Sequence, residues 1–289
     1  MPPRVGAFLA VVFWGVSFVA TKAVVREISP LALIFARASL ATVFLTATLA
    51  WRGQPVLPPR DTLRPLALMG FVGVAVHQVL QAYALTLTSA VNTGWLIGLT
   101  PIWSAILAAI TLKERLGPGK VIGLALGFLG ALLVVTRGSL RATPLALPGT
   151  RGDLLILAST VNWAVYTILG HETLRRLGAA RATAGAMLFG WAMLAPLAIA
   201  SGAVRTYGQL SHTGVAGVLF LGIASSGLGY LFWYGALARI EASRVAAFLY
   251  IEPLVTLAAA VALLAEPVAL LTVVGGVLLL SGVVLVQRA

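Results

Sequence analysis

The chain has 289 residues, 60% of them apolar and only 10% charged, with a mean hydropathy of +1.01. A soluble domain carries roughly 25% charged residues, so this composition excludes an ordinary water-soluble globule, and the lack of cysteine removes disulfides and thiolate metal sites. The net charge of +12 is spread over the gaps between apolar runs instead of gathering on one face, which points to a membrane surface and not to a nucleic-acid partner.

A helical span needs about 20 mainly apolar residues. In chain order the candidates are ten: 5–25, 31–51, 65–86, 90–112, 120–136, 152–170, 182–202, 213–236, 245–265 and 268–287. The first follows only Met-Pro-Pro-Arg, is too long for a signal-peptide core and reads as a retained span carrying Trp14 and Phe18. The second holds an intramembrane cation, Arg37. The third places His77, Gln78 and Gln81 at helical spacing, and the fourth carries Asn92, Trp95 and Pro101. In the fifth, Gly123, Gly127 and Gly130 read as a close helix contact, as Gly275 and Gly282 do in the tenth. Ser159, Asn162, Trp163 and Tyr166 share one face of the sixth. Tyr230, Trp233 and Tyr234 lie in the eighth, after an "ASSG" stretch at 224–227 that lacks the frame of a nucleophile elbow. The ninth contains Glu252 and Pro253 in "YIEPLVTLAAAVALLAEP". Connectors are short apart from 137–151, and Glu114, Glu266, Asp61 and Asp153 fall at span ends or in loops.

The expected fold is therefore an all-α integral membrane protein of ten transmembrane helices. Lysine and arginine set its orientation. With the N-terminus inside, Arg4, Arg52, Arg60, Arg64, Lys113, Arg115, Lys120, Arg175, Arg176, Arg181, Arg239, Arg244 and Arg288 fall on the inner side. Lys22, Arg26, Arg137, Arg141, Arg151 and Arg205 fall outside, so both termini are expected in the cytoplasm.

The chain also repeats. A shift of 152 positions superposes Ala90 on Ala242, Pro101 on Pro253, Glu114 on Glu266, Gly123 on Gly275 and Gly130 on Gly282, and a shift of 149 puts Trp14 on Trp163. Residues 1–140 and 141–289 are then two copies of five spans each, and an odd span number inverts the second copy. Inverted repeats are frequent in secondary transporters, with the site at the repeat interface near the midplane.

The segments "FWGVSFVATK" (13–22), "LTPIWSAILAAITLKERL" (99–116) with "VIGLALGFLGALLVV" (121–135), and "IEPLVTLAAAVALLAEP" (251–267) resemble the EamA-type repeat of the drug/metabolite transporter superfamily, over nearly the whole chain. The second copy departs from the pattern with Glu252 in place of Thr100 and Pro267 in place of Arg115. Within the superfamily the chain is most similar to bacterial aromatic amino acid exporters of the YddG type. That resemblance implies two inverted five-helix repeats in the cell inner membrane and export of small metabolites, amino acids above all, without a cofactor. Both repeats lie in one chain, so a monomer is expected.

Trp and Tyr normally stand at span ends, yet Trp14 and Trp163 lie about ten residues inside theirs. With His77, Gln78, Gln81, Asn92, Trp95, Asn162, Tyr166, Tyr230, Trp233 and Tyr234 they form a candidate substrate cavity, because a dry core could not easily satisfy so many amide and imidazole groups. The alternative is plain helix packing. Pro101 and Pro253 are candidate hinges or packing kinks, each expected to free the carbonyl four residues earlier, at Ile97 and Leu249. Glu252 is open to three roles: a protonated structural donor, a proton-coupling site, or a partner for a substrate ammonium.

Competing classes fare worse. No acid–base pair lies within the spans, and His77, His171 and His212 are too far apart in sequence to form a local metal motif, which argues against an enzyme or a metal centre. No ring of charges or filter segment suggests a channel. Sugar-phosphate carriage would need buried cations where only Arg37 and Lys22 are on offer, and a small multidrug pump would carry an acid where this chain has Trp14. The remaining alternatives are an exporter or facilitator of other small metabolites or drugs, and a channel-like permease.

Overall fold

A computed structural model describes residues 1–87, 96–135, 151–255, 258 and 270–289. Among these residues every regular element is helical. The helices are α1 (Pro3–Val24), α2 (Pro30–Trp51), α3 (Leu63–Met69), α4 (His77–Leu87), α5 (Thr100–Thr111), α6 (Pro118–Val135), α7 (Arg151–Leu169), α8 (His171–Leu177), α9 (Ala179–Ala200), α10 (His212–Leu219), α11 (Tyr230–Leu237), α12 (Ala242–Ala247) and α13 (Leu270–Arg288). Among the described residues six continuous helical stretches are long and apolar enough to cross a membrane: Pro3–Val24, Pro30–Trp51, Arg60–Leu87, Arg151–Leu177, Ala179–Ala200 and His212–Leu237. They match the expected spans one to three and six to eight, while α5, α6 and α13 are shorter apolar helices.

Local chemistry sets the ends. Ser29 caps α2 by accepting from Ala32 N at 3.2 Å, with Pro30 in the first turn where its missing N–H costs nothing. Ser211 caps α10 by accepting from Gly214 N, and Glu27 in turn accepts from Ser211 N and Oγ at 2.7 and 2.9 Å. Gly178, at φ +75°, separates α8 from α9 in a conformation that favours glycine.

The chain packs as two compact units, each built from pieces of both sequence halves. The first comprises Met1–Tyr83 and Leu169–Arg239. In it α9 packs against α2 and α3, and α1 packs against α11. Two of its helical stretches widen into π-helix, at Gly70–Val76 between α3 and α4 and at Phe220–Gly229 between α10 and α11. Shifted by 152 positions, Gly70–Val76 falls on 222–228, inside the second π segment. Glycines seat both segments: a Cβ at Gly70 would stand 2.6 Å from Gly190 N of α9, and one at Gly222 would stand 2.5 Å from Leu40 Cβ of α2.

The second unit comprises Ala84–Ile168 and Ile240–Ala289. Its principal contact is α6 on α13, through the glycines singled out in the sequence. A Cβ at Gly123 would meet Gly282 O at 2.9 Å, and one at Gly130 would meet Gly275 O at 2.6 Å. Gly127 admits the Tyr250 ring, whose hydroxyl donates to Leu124 O at 3.0 Å.

Three sequence readings change. Asp153 is not a loop residue: it lies in the first turn of α7 and is fully buried. Pro101 does not interrupt a continuous helix, because residues 98–99 already form a turn and Pro101 sits in the first turn of α5. Leu99 O there accepts from Ile102 N and Trp103 N, both at 3.1 Å. Pro253 follows a 3-10 turn, Phe248–Ile251, and the Leu249 carbonyl expected to be open accepts from Glu252 N. A 3-10 turn closes one residue sooner than an α-turn, which removes the orphan before proline can create it.

Candidate functional site

The first unit gathers one part of the expected cavity. Tyr230 begins α11 just after the second π segment, and its hydroxyl accepts from Gln78 Nε2 at 2.9 Å and donates to Gly73 O at 3.1 Å. Gln78 and Tyr230 are 152 residues apart, so repeat-equivalent positions meet. Ser39 and Trp191 do the same, with Trp191 Nε1 donating to Ser39 Oγ at 2.9 Å across the same separation of 152.

Trp14, in mid-α1, closes on this pair. Its ring centroid lies 5.9 Å from Tyr230 at 80°, an edge-to-face arrangement, and 5.1 Å from Trp233. Such pairs contribute roughly 0.5–1.5 kcal/mol beyond area burial. Trp14 Nε1 donates to Ser225 O at 3.0 Å. A Cβ on Gly229 would stand 2.8 Å from Trp14 Nε1, so glycine there makes room for the indole.

Sequence reasoning set Arg37 aside, and the structure brings it here. Its side chain lies in mid-α2 and is 9% exposed, with Nε donating to Ser226 Oγ at 2.9 Å and Nη2 to Ser225 Oγ at 3.2 Å. Both hydroxyls belong to "ASSG", the stretch whose only apparent property in sequence was failing an enzyme motif. The legible signal was a lone cation in an apolar span, costing about 2.5–3.5 kcal/mol to insert. What answers that cost was not legible, since its partners lie 188 and 189 positions away.

Other expected residues are placed differently. Tyr234 is fully buried against the start of α8, where a Cβ on Gly170 would stand 2.6 Å from its ring. His77 is buried at the first π segment's end, whereas Gln81 is half-buried. In the second unit, Trp163 and Tyr166 are buried on α7 with ring centroids 5.3 Å apart, while Asn162 is half-buried. Glu252 is buried, directly after the 3-10 turn. Asn92 and Trp95 lie outside the described residues.

Ionic contacts sit at helix ends. Glu114 accepts from Ala242 N at 2.7 Å and from Ser243 N and Oγ at 3.3 and 2.5 Å, capping α12 and anchoring its start. Glu241 pairs with Lys120 at 2.8 Å and Arg244 at 2.8 Å. Burial pushes the Glu241 carboxyl up, but the Lys120 hydrogen bond and charge, with Arg244, outweigh it and hold the group below its ordinary value. Arg176 pairs with Asp61 on the surface of the first unit. Among the described residues no group of three or more His, Asp or Glu could hold a metal ion.

Comparison with known proteins bears on the whole chain. Residues 4–136 and 150–288 each match the EamA-like transporter family. An uncharacterized transporter of Archaeoglobus fulgidus is 34% identical over 286 residues, 97% of this chain and 96% of that protein. A protein of Streptantibioticus cattleyicolor named a probable terminal-alkyne amino-acid exporter is 30% identical, covering 97% and 91%. A probable amino-acid metabolite efflux pump of Salmonella typhimurium is 26% identical, covering 96% and 91%. A crystal structure matches the fold with a TM-score of 0.80 at 19% identity, over 99% of this chain and 96% of that one. The chain belongs to the EamA-like transporter family, present here twice, and is a multi-pass membrane transporter.

Proposed function

We propose that this member of the EamA-like transporter family carries amino acids, aromatic ones included, out of the cell across the inner membrane by alternating access. Ten spans in two inverted repeats, 1–140 and 141–289, with both termini in the cytoplasm, are the topology of this reading. The observation that carries it is the buried cluster of Trp14, Tyr230, Gln78 and Trp233 beside the paired π segments. Rings for an apolar side chain stand there next to hydroxyl and amide groups for a zwitterion. The printed names of two relatives, an amino-acid exporter and an amino-acid metabolite efflux pump, support the same substrate class.

Alternating access needs helices that bend without losing hydrogen bonds. Two features supply this. The π segments hold wide turns, a rare form that is frequent at functional sites. Pro101 and Pro253, at equivalent positions, each lie in the first turn of a helical segment that follows a tighter turn, so they are proposed as hinges. Discontinuous helices of this kind accompany substrate sites in secondary transporters.

The test is counterflow. Proteoliposomes preloaded with unlabelled tryptophan or phenylalanine should accumulate the labelled amino acid transiently and saturably. Labelled uptake that rises linearly with concentration and shows no counterflow identifies a channel-like permease and refutes the carrier reading.

A further inference from the structure

We propose that Arg37 is the residue that recognises the substrate's carboxylate, with its guanidinium presented by Ser225 and Ser226 of the second π segment. The inference rests on the carrier reading above and names the chemical group the carrier selects. It starts from an imbalance of charge. Arg37 is buried in mid-α2, and its bonds, from Nε and Nη2, run to two neutral hydroxyls. Among the described residues no carboxylate pairs with it. The acids of its own unit are Glu27, Asp61 and Glu172. Glu27 holds Ser211, Asp61 pairs with Arg176, and Glu172 is exposed on α8. A cation kept inside a membrane helix without its counter-ion is by default functional.

Geometry then selects the ligand. The guanidinium is a planar fork suited to a carboxylate taken bidentately. With Nε and one N–H of Nη2 tethered, Nη1 and the second N–H of Nη2 remain as a fork for the two oxygens of an incoming carboxylate. Each serine oxygen that accepts from Arg37 retains its own O–H to donate, so the hydroxyls can join the guanidinium in binding an anion. A staple serving structure alone would need no charge, since a neutral amide could reach the same hydroxyls. The aromatic wall adjoins this point. Ser225 binds Arg37 through Oγ and Trp14 through its carbonyl, so one residue links the cation to the rings. An α-carboxylate on Arg37 and an apolar side chain beside Trp14 and Tyr230 describe an amino acid.

The experiment compares acid with amide. In proteoliposomes, phenylalanine and phenylalaninamide compete against labelled phenylalanine for the wild type, Arg37→Gln and Arg37→Lys. For the wild type the acid should compete on the order of tenfold or more better than the amide, the scale of a hydrogen bond to a charged group. In Arg37→Gln that ratio should collapse towards one, and Arg37→Lys should keep part of it. A folded Arg37→Gln protein with the wild-type ratio overturns the proposal. If the variant does not fold, melting of the wild type decides: stabilisation by phenylalanine but not by the amide supports the role, and equal stabilisation overturns it. If the wild type shows no amino-acid counterflow, the substrate reading of the carrier fails separately. Benzoate against benzamide in the same melts then tests Arg37 alone: a benzoate shift lost in Arg37→Gln supports an anion site, and no shift with either removes it.

Discussion

Replacing Gly130 with alanine tests the packing on which the second unit depends. Gly130 lies on α6 facing α13, and a Cβ there would run into Leu279 N while standing 2.6 Å from Gly275 O and 2.7 Å from Leu279 Cα. Carbon contacts settle near 3.5–4.0 Å, so the two helices must part by roughly 1 Å at this point. Every obstructing atom is backbone, and no change of rotamer relieves the clash. Parting the helices also loosens the neighbouring approach of Gly123 to Gly282 O, at 2.9 Å for an added Cβ. Overpacking of this kind costs typically 1–3 kcal/mol, and rigid neighbours place Gly130→Ala at the upper end. Gly235 is the control: it lies in α11 with nothing within 4 Å of an added Cβ, so alanine should stabilise by up to about 1 kcal/mol through helix propensity alone. Both variants can be unfolded side by side in mixed micelles. Gly130→Ala protein as stable as Gly235→Ala protein would refute the reasoning.

Four further expectations follow from single residues. Trp14→Ala should insert normally but lose on the order of 1 kcal/mol or more of substrate interaction, and unchanged affinity in proteoliposomes would remove Trp14 from the site. Pro101→Ala should lower turnover more than equilibrium affinity, since alanine lets α5 extend back through the turn at 98–99; a pure affinity loss would indicate direct contact instead. The Glu241 carboxyl is held below its ordinary 4.5, so its contribution is present above that value and is lost as pH falls through the lowered one. The melting temperature should therefore be flat from neutral pH to about 5 and fall below it, and Glu241→Gln should remove that limb of the melting profile. Glu252→Gln should retain most transport with an unchanged pH profile; if the wild type moves protons with labelled amino acid and the variant does not, Glu252 is the coupling site.

Much of the architecture was legible because burial in a bilayer imposes length and composition on each span. The boundaries of α1, α2, α7 and α9 fall within a few residues of the apolar runs that announced them. Gly123, Gly130, Gly275 and Gly282 were readable as a helix contact because only a missing side chain allows backbones so close. Of the candidate cavity, Trp14, Gln78, Tyr230 and Trp233 were nameable because rings and amides at mid-span stand out from an apolar run, with helix packing as the competing reading. Their companionship was not, because helical spacing orders residues within one span and is silent on which spans meet. Asp153 shows the opposite failure: an acid at the edge of an apolar run looks like a loop residue until the fold buries it.

The sequence by itself determined that this chain crosses a membrane in helices, that it repeats at an interval of 152, and that its family is one of transporters. These properties are carried by composition, periodicity and motif along the chain and need no knowledge of which helices touch. Only the tertiary structure decided that the widened turns at Gly70–Val76 and Phe220–Gly229 exist, that Tyr230 meets its own repeat partner Gln78, and that Arg37 rests on Ser225 and Ser226. A π turn adds one residue to a helical turn, which no sequence pattern marks, and both π segments pack on helices from the other half of the chain. Hydroxyls 188 and 189 positions from a guanidinium become its partners only when helices from both copies pack side by side.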